Sequence, residues 1–134
     1  MLVVDASVAV KFVVQEHDSG LVDRLLKSPD ALIAPDWLLA EAASTMWKKV
    51  ARSELLMIHA ERNLDALPEF FARLYPSGEL VGEALRLSFR LRHSVYDCLY
   101  LALARREGCT LVTADRKFHG VLVDHALDAQ VELL

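Results

Sequence analysis

Apolar positions in this chain follow two rhythms. Three consecutive apolar residues at Leu2–Val4 suit a strand buried on both faces, 31–34 is a second short apolar strand, and strands are also expected at Thr110–Thr113 and 131–134. A fifth run, 70–75, is closed by Pro76-Ser77-Gly78. Between the runs, apolar residues recur at helical spacing. The spacing predicts helices over 8–14, over Ser19–Lys27 with Leu21, Val22, Leu25 and Leu26 on one face, and from an Asp36 cap to about residue 52. In that third helix Leu38, Leu39, Ala42, Ala43, Met46, Trp47 and Val50 make one broad apolar face. A further helix is expected from Ser53 and Glu54 to near Pro68, as the second arm of a helical hairpin. Others are expected over 79–91, 94–107 and 116–122. Strands and helices alternate, which predicts an α/β domain with a parallel sheet and right-handed crossovers.

The 94–107 helix differs from the rest. It is apolar nearly all round, from Val95 to Ala104, so it should be buried on most sides. Asp97 interrupts it in the first turn and Gly108 terminates it. Two more acids hold matching places. Asp5 follows the first strand and Asp115 follows the fourth, each ahead of a helix. Each has an ordinary explanation as a helix cap, and Ser94 with Asp97 fits a variant capping box. Together they suggest a site. In open α/β sheets ligands bind at the carboxyl ends of the strands where strand order reverses. Clustered carboxylates repel one another, and a hard divalent cation such as Mg²⁺ or Mn²⁺ relieves the repulsion. Such a cation can activate water against a phosphodiester. Ser7 and Thr113 lie two residues from Asp5 and Asp115, where turn chemistry and a supporting role at the site are both open. Glu41 falls outside the apolar stripe of its helix, so periodicity alone makes it a solvated charge.

Composition narrows the possibilities. The 134 residues are 54% hydrophobic, enough for one full core, and the expectation is a single domain over 1–134. No apolar stretch is long enough to span a bilayer, and Asp5 and Lys11 interrupt the N-terminal apolar run. The expected compartment is the cytosol, with Cys98 and Cys109 as free thiols. The net charge of −4 argues against a general nucleic-acid binder, but four acids engaged by metal would leave the signs balanced. Basic residues cluster at Lys48, Lys49 and Arg52, at Arg86, Arg90 and Arg92, at Arg105 and Arg106, and at Arg116 and Lys117, which suggests a positive rim round an acidic hole.

Four segments carry a family resemblance. They are Val3-Val4-Asp5-Ala6-Ser7, Ala34-Pro35-Asp36 with Glu41, the run from Ser94 to Ala104, and Leu111-Val112-Thr113-Ala114-Asp115. The chain resembles the PIN-domain ribonucleases, in particular the VapC-type toxins of VapBC toxin–antitoxin pairs. The resemblance implies a single PIN-like domain whose five-stranded parallel sheet has order 3-2-1-4-5. It implies an Mg²⁺- or Mn²⁺-dependent endoribonuclease in which Asp5, Asp97 and Asp115 bind the metal, directly or through water. Glu41, which periodicity left as a solvated charge, then joins them as a ligand or as the group that orients water. It also implies an RNA substrate, a VapB-type antitoxin and a homodimer. Arg116, Lys117 and Phe118 stand where some relatives carry a further acid, so a second metal is not implied. Two rival readings are a catalytically silent binding module of the same fold, and a phosphohydrolase or phospho-acceptor domain with Asp5 as nucleophile.

Overall fold

The computed structural model describes residues 1–14 and 19–134. Five parallel strands form one sheet, β1 (Leu2–Val4), β2 (Leu32–Pro35), β3 (Arg73–Tyr75), β4 (Thr110–Thr113) and β5 (Val131–Leu133), in the order β3-β2-β1-β4-β5. This is the expected 3-2-1-4-5 order. Strand order reverses at β1, between β2 and β4. Among the described residues seven α-helices connect the strands: α1 (Ala6–Val13), α2 (Ser19–Lys27), α3 (Trp37–Ala51), α4 (Met57–Ala66), α5 (Val81–Leu91), α6 (Val95–Glu107) and α7 (Arg116–Asp124). None is long and apolar enough to cross a membrane among the described residues.

The core follows from the two rhythms. Val3 and Val4 are completely buried, as a central strand covered on both faces requires. α6 packs against β1, β2 and β4, and every residue from Cys98 to Ala104 is buried. Gly108 ends α6 at φ 63°, a backbone conformation open to a residue without Cβ. Cys98 and Cys109 are free thiols.

Three local expectations change. Asp36 does not cap α3 with its side chain. Its carboxylate accepts the backbone N–H of Ser77 at 3.0 Å and the Ser77 hydroxyl at 2.6 Å, and Ser77 Oγ accepts the Trp37 N–H at 2.9 Å. The cap of α3 thus comes from the residue beyond β3. Ser53 does not start a helix, because it takes φ 59° and turns the chain back. Helix α4 therefore begins only at Met57, although it does pack on α3 as a hairpin. The broad apolar face of α3 narrows to Leu38, Ala42 and Met46, with Trp47 left 69% exposed.

Candidate metal centre

Sheet register decides what meets Asp5. Val4 of β1 pairs with Val112 of β4, and the Asp5 N–H continues the ladder to the Val112 carbonyl at 3.2 Å. The neighbour of Asp5 at the carboxyl edge is therefore Thr113, while Asp115 lies two residues further on. Thr113 is completely buried and Asp5 is 5% exposed.

Both oxygens of the Asp5 carboxylate accept hydrogen bonds. It accepts the Ser7 hydroxyl and the Val8 N–H (3.3 Å) on Oδ1, and the Thr113 hydroxyl on Oδ2. Ser7 Oγ in turn accepts the N–H of Ala114 at 2.9 Å, and Thr113 Oγ1 accepts the N–H of Asp115 at 3.1 Å. Each hydroxyl has one proton, which goes to Asp5, so backbone N–H groups orient both. Asp5 caps α1 at the same time, so the capping explanation and a site role coexist. Burial pushes its carboxyl up to about 7, although the two hydroxyls and the Val8 N–H pull it down. The charge of Glu41 adds to the rise.

Glu41 does not behave as a solvated charge. It lies on the flank of α3 that faces α6, half-buried, and Oε1 accepts the Tyr100 hydroxyl at 2.7 Å. Burial raises its carboxyl, the Tyr100 hydrogen bond lowers it, and the charges of Asp97 and Asp115 raise it. Burial and the Glu41 charge hold the Tyr100 phenol protonated, as the donor. Asp97, in the first turn of α6, does not complete a capping box. Ser94 accepts the Tyr96 N–H at 3.2 Å, while Asp97 Oδ2 meets His93 Nε2 at 2.6 Å. Asp115 caps α7, accepting the N–H groups of Lys117 (2.9 Å) and Phe118 (3.1 Å).

The four acids thus stand at one edge of the sheet, where Glu41 feels the charges of Asp97 and Asp115, and Asp5 feels that of Glu41. Among the described residues no three His, Cys, Asp or Glu side chains form a ready-made metal cage. The donor set is nevertheless all carboxylate, which suits a hard cation that keeps several of its own waters. Three basic side chains of the described residues pair with acids outside the site, Lys49 with Glu54, Arg86 with Glu83, and Arg106 with Glu79 and Glu107. The anticipated positive rim is only partly assembled. Arg116 and Lys117 adjoin Asp115, but Arg105 and Arg106 lie eight and nine residues past Asp97, about 12 Å along α6. Lys48 and Lys49 likewise occupy the last turn of α3.

Two contributors were not anticipated from sequence. Tyr100 reads as one more apolar member of α6, yet its hydroxyl anchors Glu41. His93 binds Asp97 and stacks on buried Phe118, with centroids 4.8 Å apart and planes 11° apart. An available signal was spacing, since His93 precedes Asp97 by four residues and Tyr100 follows it by three.

Residues 2–121 match the family described as PIN domain. The chain is 34% identical over 118 residues to Ribonuclease VapC3 of Pyrobaculum aerophilum, covering 87% of this chain and 90% of that one. It is 32% identical over 117 residues to Ribonuclease VapC1 of Mycobacterium tuberculosis, covering 86% of each. In fold it is similar to the crystal structure of PAE2754 from Pyrobaculum aerophilum, with TM-score 0.71 at 23% identity, over 96% of this chain and 97% of that one.

Proposed function

The chain belongs to the PIN-domain family, with the VapC-type ribonucleases, and on that premise we propose that it is a metal-dependent endoribonuclease and the toxin of a toxin–antitoxin pair. Its substrate is RNA, and single-stranded segments suit it best because their backbone can be splayed into a cleft. Asp5, Asp97 and Asp115 hold Mg²⁺ or Mn²⁺ directly or through water, and Glu41 ligates it or orients the attacking water. Residues 1–134 act as one domain, as a homodimer in the cytosol, restrained by a VapB-type antitoxin. The observation that carries this reading is the gathering of acids at one sheet edge, where burial raises the carboxyls of Asp5, to about 7, and of Glu41, and the charges of Asp97 and Asp115 add to the rise at Glu41.

A bound cation supplies charge neutralisation and an activated water. The chain's own residues do the positioning. Ser7 and Thr113 fix the rotamer of Asp5, Tyr100 holds Glu41, and the His93 ring orients Asp97. The phospho-acceptor alternative fits less well. Both oxygens of Asp5 accept hydrogen bonds and the residue is 5% exposed, which makes it a hindered nucleophile.

The test is cleavage of single-stranded RNA by the purified chain in Mg²⁺ or Mn²⁺, with chelator and Asp97→Asn as controls. Cutting that needs both the metal and Asp97 is expected. Wild-type protein that binds its antitoxin but leaves RNA intact in either metal would favour the silent binding module.

A further inference from the structure

Helices α3 and α6 meet in two successive contacts. The inner one is the Tyr100–Glu41 hydrogen bond. The outer one is a stack of Trp37 on Tyr96, with ring centroids 4.6 Å apart and planes 10° apart. Trp37 precedes Glu41 by four residues, and Tyr96 precedes Tyr100 by four. The two contacts are therefore about one helical turn apart, roughly 6 Å along each helix.

Chain direction says which contact lies outermost. Helix α3 leaves the carboxyl end of β2, and α6 leads into β4, so the first turns of both stand at the carboxyl edge. Trp37 is the first residue of α3 and Tyr96 the second of α6. The aromatic pair thus forms a lip beside Asp97 and outside Glu41. Trp37 stacks on Tyr96, yet Tyr96 remains 52% exposed, so about half of the residue's surface stays open to solvent beside the stack. The indole N–H of Trp37 is buried with no hydrogen-bond partner among the described residues, so packing and stacking hold that ring.

We propose that the Trp37–Tyr96 pair is a stacking platform for one unpaired base of the RNA, flanking the phosphodiester addressed by the acids. The proposal rests on the nuclease reading and deepens it. An edge lined with carboxylates repels the phosphates of a polyanion. Stacking on a neutral aromatic face attracts the strand without adding charge, and it tolerates any base because every base has a π-face. A purine should stack better than a pyrimidine, and an abasic nucleotide not at all.

The experiment measures affinity of the full chain, in chelator, for a short single-stranded RNA in which one abasic nucleotide is moved along the strand. Wild type should lose about 5- to 150-fold at one position, the equivalent of the 1–3 kcal/mol of one stacked base. Tyr96→Ala should lose as much on the intact strand and become indifferent to the abasic site, while Tyr96→Phe should behave as wild type. Tyr96→Leu keeps apolar packing on Trp37 and should still bind like the alanine variant. Full affinity in Tyr96→Ala, independent losses from the variant and the abasic site, or a loss that tracks a changed oligomeric state would overturn the platform. Cleavage of the same strands in Mg²⁺ or Mn²⁺ tests the nuclease reading separately. Position-dependent binding without cleavage retains the platform and rejects the nuclease, whereas cleavage indifferent to Tyr96 does the reverse.

Discussion

The junctions β1–α1 and β4–α7 use the same local pattern and reach opposite environments. In each, a buried strand ends, an acid follows, and the acid caps the next helix with its side chain. Asp5 is sealed to 5% exposure beside Thr113, and burial pushes it up to about 7. Asp115, two residues past the end of its strand where Asp5 is one, is only half-buried and accepts two backbone N–H groups. A strand–acid–helix pattern therefore places a carboxylate at the sheet edge but does not set its electrostatics. The offset from the strand end and the neighbouring strand do that. Central β1 is flanked by β2 and β4, so an acid placed directly at its end has little access to water.

The largest expected effect is one that the junctions share. Asp5→Asn and Asp115→Asn should each lower RNA cleavage by roughly a thousandfold or more, several kcal/mol of transition-state stabilisation. Single-turnover cleavage in Mg²⁺, on protein shown to be folded, measures it. A wild-type rate in one variant alone would mean that the two junctions do not serve one site.

Stability against pH should separate them. In chelator, the unfolded chain releases the Asp5 proton near the ordinary carboxylate value, whereas the native protein keeps it until about pH 7. The native state thus binds more protons across that window, so this group makes stability fall as pH rises through it. The penalty is absent below about pH 4 and complete above about pH 7, with an upper bound of roughly 4 kcal/mol. Asp5→Asn should remove this fall, and Asp115→Asn should keep it. Excess Mg²⁺ or Mn²⁺ should offset it in wild type by binding the native state in preference. Urea unfolding from pH 4 to 8 reads all of these, and an unchanged slope in Asp5→Asn would falsify the assignment.

Smaller effects come from the groups around each acid. Thr113→Val removes a donor to Asp5 at nearly constant shape. At pH 8 it should cost about 1.5–3 kcal/mol, the range for a hydrogen bond to a charged group. At pH 5, where native Asp5 is neutral, the cost should be lower; equal costs at both pH values would argue that Asp5 does not titrate in that interval. At the other junction, Asp115→Ala should cost about 1 kcal/mol as a lost cap, and Asp115→Asn should recover most of it. Thermal unfolding in chelator distinguishes the pair.

Much of this molecule was legible in one dimension. Apolar runs marked β1, β2 and α6, because a strand covered on both faces and a helix buried on most sides leave no place for alternation, whereas the 70–75 run is a strand only at Arg73–Tyr75, with Phe70 ending a short 3₁₀ helix. Three of the four acids stood out because they follow strands or open a helix. Glu41 entered only through the family resemblance, since periodicity records which flank of a helix is apolar and not which neighbour faces the other flank. Asp36 read as a cap, and only the approach of the chain beyond β3 gave that place to Ser77. Tyr100, His93 and the Trp37–Tyr96 stack likewise depend on how α3, α6 and α7 lie against one another. The sequence by itself determined most elements, their order along the chain and three of the acids at the carboxyl edge, Asp5, Asp97 and Asp115, because these follow from local periodicity and from where strands end and helices begin. Only the tertiary structure decided which acid is buried, which hydroxyls hold it and which aromatic ring is left open, because desolvation and partner geometry arise where residues distant in the chain come together.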